Sequence, residues 1–259
     1  MPKTPSRTIY RQIGSYYDQL WPGAPTSWRQ ARRRILSGVL HTMQSVCELG
    51  CGTGNSALDF ARRGLRVFAV DLSPAMLRMT RQKAQAAGLP IRIRCADMRT
   101  FRLPEPVDLV HSEWGAVNHV PRKRDLAKVA RAVHRALRPG GYFLFDVNHL
   151  PVFEHLWSIT QVRENKGLFI VQQGGFDKVR DKGWLELTWF VAGPAGRWKR
   201  QNQRIEEVYW SPAEIRQVLH RAGFPQVRSF DFTVLVSDFK VPRSYRGFKS
   251  LFLARKGRH

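Results

Sequence analysis

The 259-residue chain is short of acid, nearly without cysteine, and lacks any long apolar run. No stretch reaches the roughly 20 apolar residues that a membrane span needs. The polar, basic segment Met1 to Arg11 has no apolar stretch behind it, so neither a membrane protein nor a secreted precursor is expected. Three cysteines, Cys47, Cys51 and Cys95, fall in strand or strand-end contexts. Cys47 and Cys51 have no second Cys/His pair to complete a zinc site, so no metal centre is expected, and reduced structural thiols in a cytoplasmic protein are. Only 20 Asp and Glu oppose 43 Lys and Arg, a net charge of +23. The basic residues are spread along the chain with no dedicated tail. Nucleic acid is therefore a possible partner, but charge alone sets solubility and non-specific association and identifies no reaction. Internal repeats and low-complexity segments are absent too, while 43% hydrophobic residues suffice for a real core.

What the sequence does have is a regular alternation. Strands are predicted at Ser45–Leu49, Leu65–Asp71, Ile91–Ala96, Val107–Ser112 and Tyr142–Val147, and helices at 55–63, 74–87 and 122–137, the last stopped by Arg138-Pro139-Gly140-Gly141. Ser73 reads as an N-cap with Pro74 at the first helical position. Such βαβ units imply a parallel sheet whose ligands bind at the carboxyl ends of the strands. Two helices are expected earlier, one along the aromatic stripe Tyr10, Ile13, Tyr16, Tyr17, Leu20 and Trp21, ended by Pro22-Gly23, and one over 27–40. Residues 150–210 show no helical period and read as four antiparallel strands, 159–164, 168–176, 184–192 and 197–209. Ser211-Pro212-Ala213-Glu214 is then a capping box before a helix that ends at Gly223. Val227–Val236 and Phe248–Arg255 read as a closing antiparallel pair. The implied division is an N-terminal helical lid (1–44), an α/β domain (45–149 and 211–259) and an antiparallel β insertion (150–210) capping a substrate.

The chemistry concentrates at strand ends. Val46-Cys47-Glu48-Leu49 runs into Gly50-Cys51-Gly52-Thr53-Gly54 and then a helix. Glycines there allow positive φ and close approach of a ligand to free helix N-terminal N–H groups. The spacing is not that of a dinucleotide binder, and no Lys-Ser/Thr follows to make a P-loop. Asp71, ending the second strand, can accept hydrogen bonds from a ribose diol. Asp97 and Met98, after the third, can take an adenine amino proton and pack the ring.

The ordered set ELGCGTG (48–54), VDLSPAML (70–77), CADM (95–98), VDLV (107–110) and LRPGGYFLFDVN (137–148) resembles the class I S-adenosylmethionine-dependent methyltransferases. The resemblance implies a Rossmann-like seven-stranded sheet with the last strand antiparallel. It implies that Gly50, Cys51 and Gly52 line the methionine part of S-adenosyl-L-methionine and that Glu48 orients their loop. Asp71 would bind the ribose, Leu72 and Met76 would flank adenine, Asp97 and Met98 would read its edge, and Ser112 and Trp114 would sit near the sulfonium. The lid and insertion resemble small-molecule N-methyltransferases of amino-sugar and glycine type, with Tyr17-Asp18 and Asn118-His119 at comparable places. Tyr17 is thus expected to touch cofactor or acceptor, and His119 to act as the base, an imidazole titrating near neutral pH. His111, Glu113 and His149 are lesser candidates on the same edge. The expected activity is methyl transfer to nitrogen or oxygen of a small molecule, leaving S-adenosyl-L-homocysteine. An RNA or protein methyltransferase using the basic surface, and a cofactor-binding protein without activity, are the alternatives.

Overall fold

The computed structural model describes residues 10, 14–20, 24–165, 167–236 and 247–258. Ile13, Trp21, Pro22 and Gly23 of the expected N-terminal stripe lie outside them. Within them, a helical turn leads into α1 (Tyr17–Leu20), and α2 (Ala24–Leu36) starts and stops earlier than 27–40 predicts. The βα alternation then runs β1 (Ser45–Leu49), α3 (Asn55–Arg62), β2 (Arg66–Asp71), α4 (Pro74–Ala86), β3 (Ile91–Cys95), β4 (Val107–Ser112), a 3-10 turn (Ala116–His119), α5 (Lys123–Ala136) and β5 (Leu137–Asn148). Ser73 Oγ accepts from the Met76 amide at 3.4 Å, the cap expected of it. The start of β5 differs as well: Leu137, predicted as the end of the helix, and Arg138–Gly141, predicted as its stop, are already strand, because Leu137 pairs with Val107 across a bulge and brings β5 into the sheet early.

The antiparallel segment follows as β6 (Gln161–Asn165), β7 (Leu168–Asp177), β8 (Lys182–Ala192) and β9 (Trp198–Val208), then α6 (Pro212–Arg221), β10 (Gln226–Asp231), α7 (Phe232–Leu235) and β11 (Lys249–Arg255). The strand predicted to Val236 ends at Asp231. Its carboxylate accepts from the Thr233 amide at 2.8 Å and hydroxyl at 2.7 Å, which starts a short helix that buries Phe232.

The main sheet has the order β10-β11-β5-β4-β1-β2-β3. Only β11 runs against the others. The strand order reverses between β1 and β4, so their carboxyl ends flank the crevice where this architecture binds ligands. β1 is buried along its whole length, as a strand covered by helices on both faces must be. The second sheet is a meander, β6-β7-β8-β9. One of its faces carries Leu168, Ile170 and Gln172 from β7, Leu185, Leu187 and Trp189 from β8, and Ile205 and Glu207 from β9, all buried. Alternation along each strand puts them there together. Asn118 fastens this sheet to the main one. Its amide donates to the carbonyls of Asn148 (3.2 Å) and Val208 (2.9 Å) and accepts from the Asn148 amide at 3.0 Å. Among the described residues no helix is long and apolar enough to cross a membrane.

Candidate active site

The loop after β1 is held open by its own backbone. Gly50 and Gly52 sit at φ +65° and +55°, where a side chain is strained, and a Cβ on Gly50 would lie 2.7 Å from that of Ala116. Asp71 closes the loop from β2. Its Oδ2 accepts from the Gly52 amide at 2.9 Å and its Oδ1 from the Ser73 amide at 2.8 Å. Thr80 Oγ1 donates to the Gly52 carbonyl at 2.8 Å from α4.

These residues border a cavity of about 110 Å³ at the carboxyl ends of β1, β2 and β4. Gly50, Gly52, Asp71, Leu72, Met76, Asp97 and Met98 line it, as do Tyr17, Trp114 and His119. A smaller polar recess of about 60 Å³ adjoins it, bordered by Glu48, Cys51 and again Tyr17, Gly50, Gly52 and Trp114. Glu48 is buried, its carboxyl is pushed well up first by burial and then by nearby Glu113, and its Oε2 finds no partner among the described residues. A ligand ammonium would satisfy it. An apolar slot with Asp71 at one wall and an acid-lined recess beside it fits an adenosyl group joined to an amino acid.

Ser112 is the exception among the expected residues. It lines none of these spaces, because β4 turns its buried hydroxyl toward β1, where it donates to the Leu49 carbonyl at 2.9 Å. Asp97 keeps its place, but its carboxylate is held by Arg99 (2.6 Å to Nη2), and Arg99 also reaches Asp125 at 3.2 Å. Burial would raise the Asp97 carboxyl; Arg99 holds it below its ordinary range.

His111 and Glu113 belong to a buried ionic cluster behind the loop. Arg32 of α2 contacts Glu113 and reaches Asp59 at 2.9 Å, and His111 lies 3.0 Å from Glu113. Although burial opposes ionisation, Arg32 and His111 hold the Glu113 carboxyl down at about 2. Glu48, His111 and Glu113 have the spacing of a metal-ligand set, yet the Arg32 guanidinium already supplies the cation there. Asp18 ties α1 to the glycine loop, accepting from Thr53 at 2.7 Å and Asn55 at 3.0 Å and pairing with Lys83 at 2.5 Å. His149 is bonded to Ser250 at 2.9 Å and borders none of these cavities.

A second cavity, about 650 Å³, lies between the glycine-loop edge and the inner face of the β meander. It shares Tyr10, Tyr17, Trp114 and His119 with the first, so the two spaces meet at those four side chains. Trp114 takes φ +66°, a strained backbone for a bulky residue, at that junction. His119 Nε2 is 2.9 Å from the Tyr10 hydroxyl and 3.6 Å from Glu207 Oε1. Burial pushes His119 down to about 4, so it is neutral near pH 7. Burial also pushes Glu207 up to about 8, against an Asn148 amide that donates to its Oε2 at 2.7 Å. Glu207, Asn148, Gln172, Trp28 and Lys249 are the residues sequence reasoning missed. No local signal singles out Glu207, because the same face of β9 carries Lys199, Gln201 and Gln203 beside Ile205.

Residues 46–141 match the family model of the methyltransferase domain. A Geobacillus sp. protein that bears a methyltransferase name is 24% identical over 228 residues, 86% of this chain and 92% of that protein. An S-adenosylmethionine-dependent methyltransferase from Clostridium acetobutylicum superposes with a TM-score of 0.77 at 22% identity, covering 96% of this chain and 99% of its own. A Micromonospora echinaspora amino pentose methyltransferase of calicheamicin biosynthesis, solved with S-adenosylmethionine bound, gives 0.71 at 22% identity over 93% of this chain and 96% of its own.

Proposed function

From the premise that this chain is an S-adenosylmethionine-dependent methyltransferase, with residues 46–141 as its methyltransferase domain, we propose that it methylates nitrogen or oxygen of a small molecule held in the 650 Å³ cavity. The observation that supports this is the junction at Tyr10, Tyr17, Trp114 and His119, which joins a nucleoside-sized slot to a larger, mostly apolar space. A volume of that order suits a drug-sized ligand. The amino pentose enzyme of similar fold acts on a molecule of that class. The β meander, with residues 150–210, serves as the cap, and the first 44 residues as the lid.

The bound cofactor supplies an electrophilic methyl on a positive sulfur. This chain's residues bind, align and dry the site. Asp71 takes the ribose hydroxyls, Leu72, Met76 and Met98 enclose adenine, and the Glu48 recess takes the amino-acid end. Tyr17 and Trp114 border both cavities and orient the acceptor, so that its lone pair is aligned for in-line attack. His119 is the acceptor-side hydrogen-bond partner, working neutral. Reduced, buried Cys47 and Cys51 suit a cytoplasmic setting.

The test is methyl transfer from labelled S-adenosylmethionine across three acceptor pools: small amines and alcohols, total tRNA, and protein extract. Label entering small molecules supports this reading. Label confined to RNA or protein overturns it, and tight cofactor binding without turnover on any pool would leave a cofactor-binding protein.

A further inference from the structure

The larger cavity contains one carboxyl that the fold leaves without a cation. Glu207 is 4% exposed, on the inner face of β9. Among the described residues no lysine or arginine pairs with it. Lys249, which lines the same cavity, is spent on Asp146 at 2.5 Å. One Glu207 oxygen is occupied by Asn148; the other looks across 3.6 Å to His119, too far for a hydrogen bond. A buried carboxylate without a counter-ion is strongly disfavoured, and one that lines a ligand cavity can take its counter-ion from the ligand.

We propose that Glu207 is the acceptor-selecting group: the substrate enters as an ammonium, pairs with the Glu207 carboxylate beside Tyr10, Tyr17 and Trp114, and gives it the proton that frees the nitrogen lone pair. This rests on the methyl-transfer reading and narrows it from nitrogen or oxygen to amine. The step balances. One N–H bond breaks as an O–H bond forms on Glu207. The freed pair then forms the N–C bond while the C–S bond breaks, and the positive charge passes from sulfur to the methylated nitrogen. Burial supports the assignment, since it lifts the free carboxyl to about 8, where a proton is exchanged readily near neutral pH. The charged and titratable groups that face Glu207 or share its cavity are His119, Lys249, Asp146, Tyr10, Tyr17 and Arg163, whose guanidinium is bonded to the Leu20 carbonyl and Gln161. His119 stays neutral and Lys249 and Asp146 compensate one another. The aromatic faces favour a cation over an alcohol.

The experiment uses the full chain saturated with S-adenosylhomocysteine, and a panel of primary and secondary cyclic amines, each matched with its alcohol. Binding is read by calorimetry for wild type and Glu207→Gln, whose amide oxygen can still accept from Asn148. Amines should bind wild type at least about tenfold tighter than their alcohols, and Glu207→Gln should lose that preference while holding S-adenosylhomocysteine as before. Alcohols binding as well as amines, an undiminished amine preference in Glu207→Gln, or no amine bound by wild type would each overturn the proposal. Failure of wild type to bind S-adenosylhomocysteine would instead undo the methyl-transfer reading.

Discussion

Glu207 and His119 face one another with opposite shifts from the same cause, so each leaves a signature in folding. The folded Glu207 carboxyl, raised to about 8, holds a proton that the unfolded chain has released. Its contribution is therefore favourable at low pH and is lost as pH climbs from the ordinary carboxyl range through 8, by at most about 1.4 kcal/mol for each pH unit between. His119, lowered to about 4, works the other way: the unfolded imidazole takes a proton below its ordinary range and the folded one refuses it, so stability is lost as pH falls toward 4. Melting of wild type should thus decline as pH rises toward 8, and Glu207→Gln should make that limb shallower, Glu48 retaining part of it, while keeping the acid one. Parallel curves would mean that the carboxyl is not desolvated as described. Asp71 carries a different burden. It holds the Gly52 and Ser73 amides and borders the 110 Å³ cavity. Asp71→Ala should weaken S-adenosylhomocysteine roughly 10- to 100-fold by titration calorimetry, the scale of one or two hydrogen bonds to a charged group. An unchanged affinity would move the ribose elsewhere.

Among the elements, α6 offers the cleanest local test. Ser211 Oγ accepts from the Glu214 amide at 3.2 Å, and Glu214 Oε2 accepts from the Ser211 amide at 2.8 Å. Ser211→Ala should lower the denaturation free energy by about 1 kcal/mol at an unchanged denaturant slope, with cofactor affinity intact. That cap was legible in four residues, as were the glycine loop, Asp71 and Asp97-Met98, because each depends on neighbours in sequence and on the period of its own element. The places where reading failed share the opposite property. Ser112 ends β4 as if facing the site, yet which way a strand residue turns in a doubly covered sheet depends on its neighbour β1. Arg138–Gly141 spells a stop, but the pairing of Leu137 with Val107 overrides it. Glu207 becomes notable only when β9 meets Asn148 of β5 and His119 of the 3-10 turn, contacts that no local pattern encodes. The whole acceptor side is of this kind. It is assembled between two sheets, whereas the cofactor side is built almost entirely from successive strand ends of one.

At the scale of the molecule, that division makes two cavities separable. Leu187 lines the larger one and not the smaller. Leu187→Trp should raise the acceptor KM or abolish turnover, leaving S-adenosylhomocysteine affinity within about twofold, since over-packing costs are local to the site that is filled. Parallel loss of both would mean the spaces are one. The net charge of +23 then acquires a consequence of its own. Glu48, Asp71 and Glu207 border the cavities with no lysine or arginine paired to them among the described residues, in a chain that is otherwise strongly basic. A cationic sulfonium cofactor, and the amine proposed above, must cross a repulsive outer field before reaching an attractive interior, and salt screens the former far more than the latter. Raising salt from about 50 to 500 mM should therefore speed association of S-adenosylmethionine relative to uncharged-sulfur S-adenosylhomocysteine in stopped flow, and leave small-molecule kcat/KM flat or rising. An RNA acceptor would reverse the sign, because release of counterions from phosphates makes affinity fall steeply as salt increases. A turnover that collapses with salt would accordingly transfer the basic surface from bystander to substrate-binding face and displace the small-molecule reading with it.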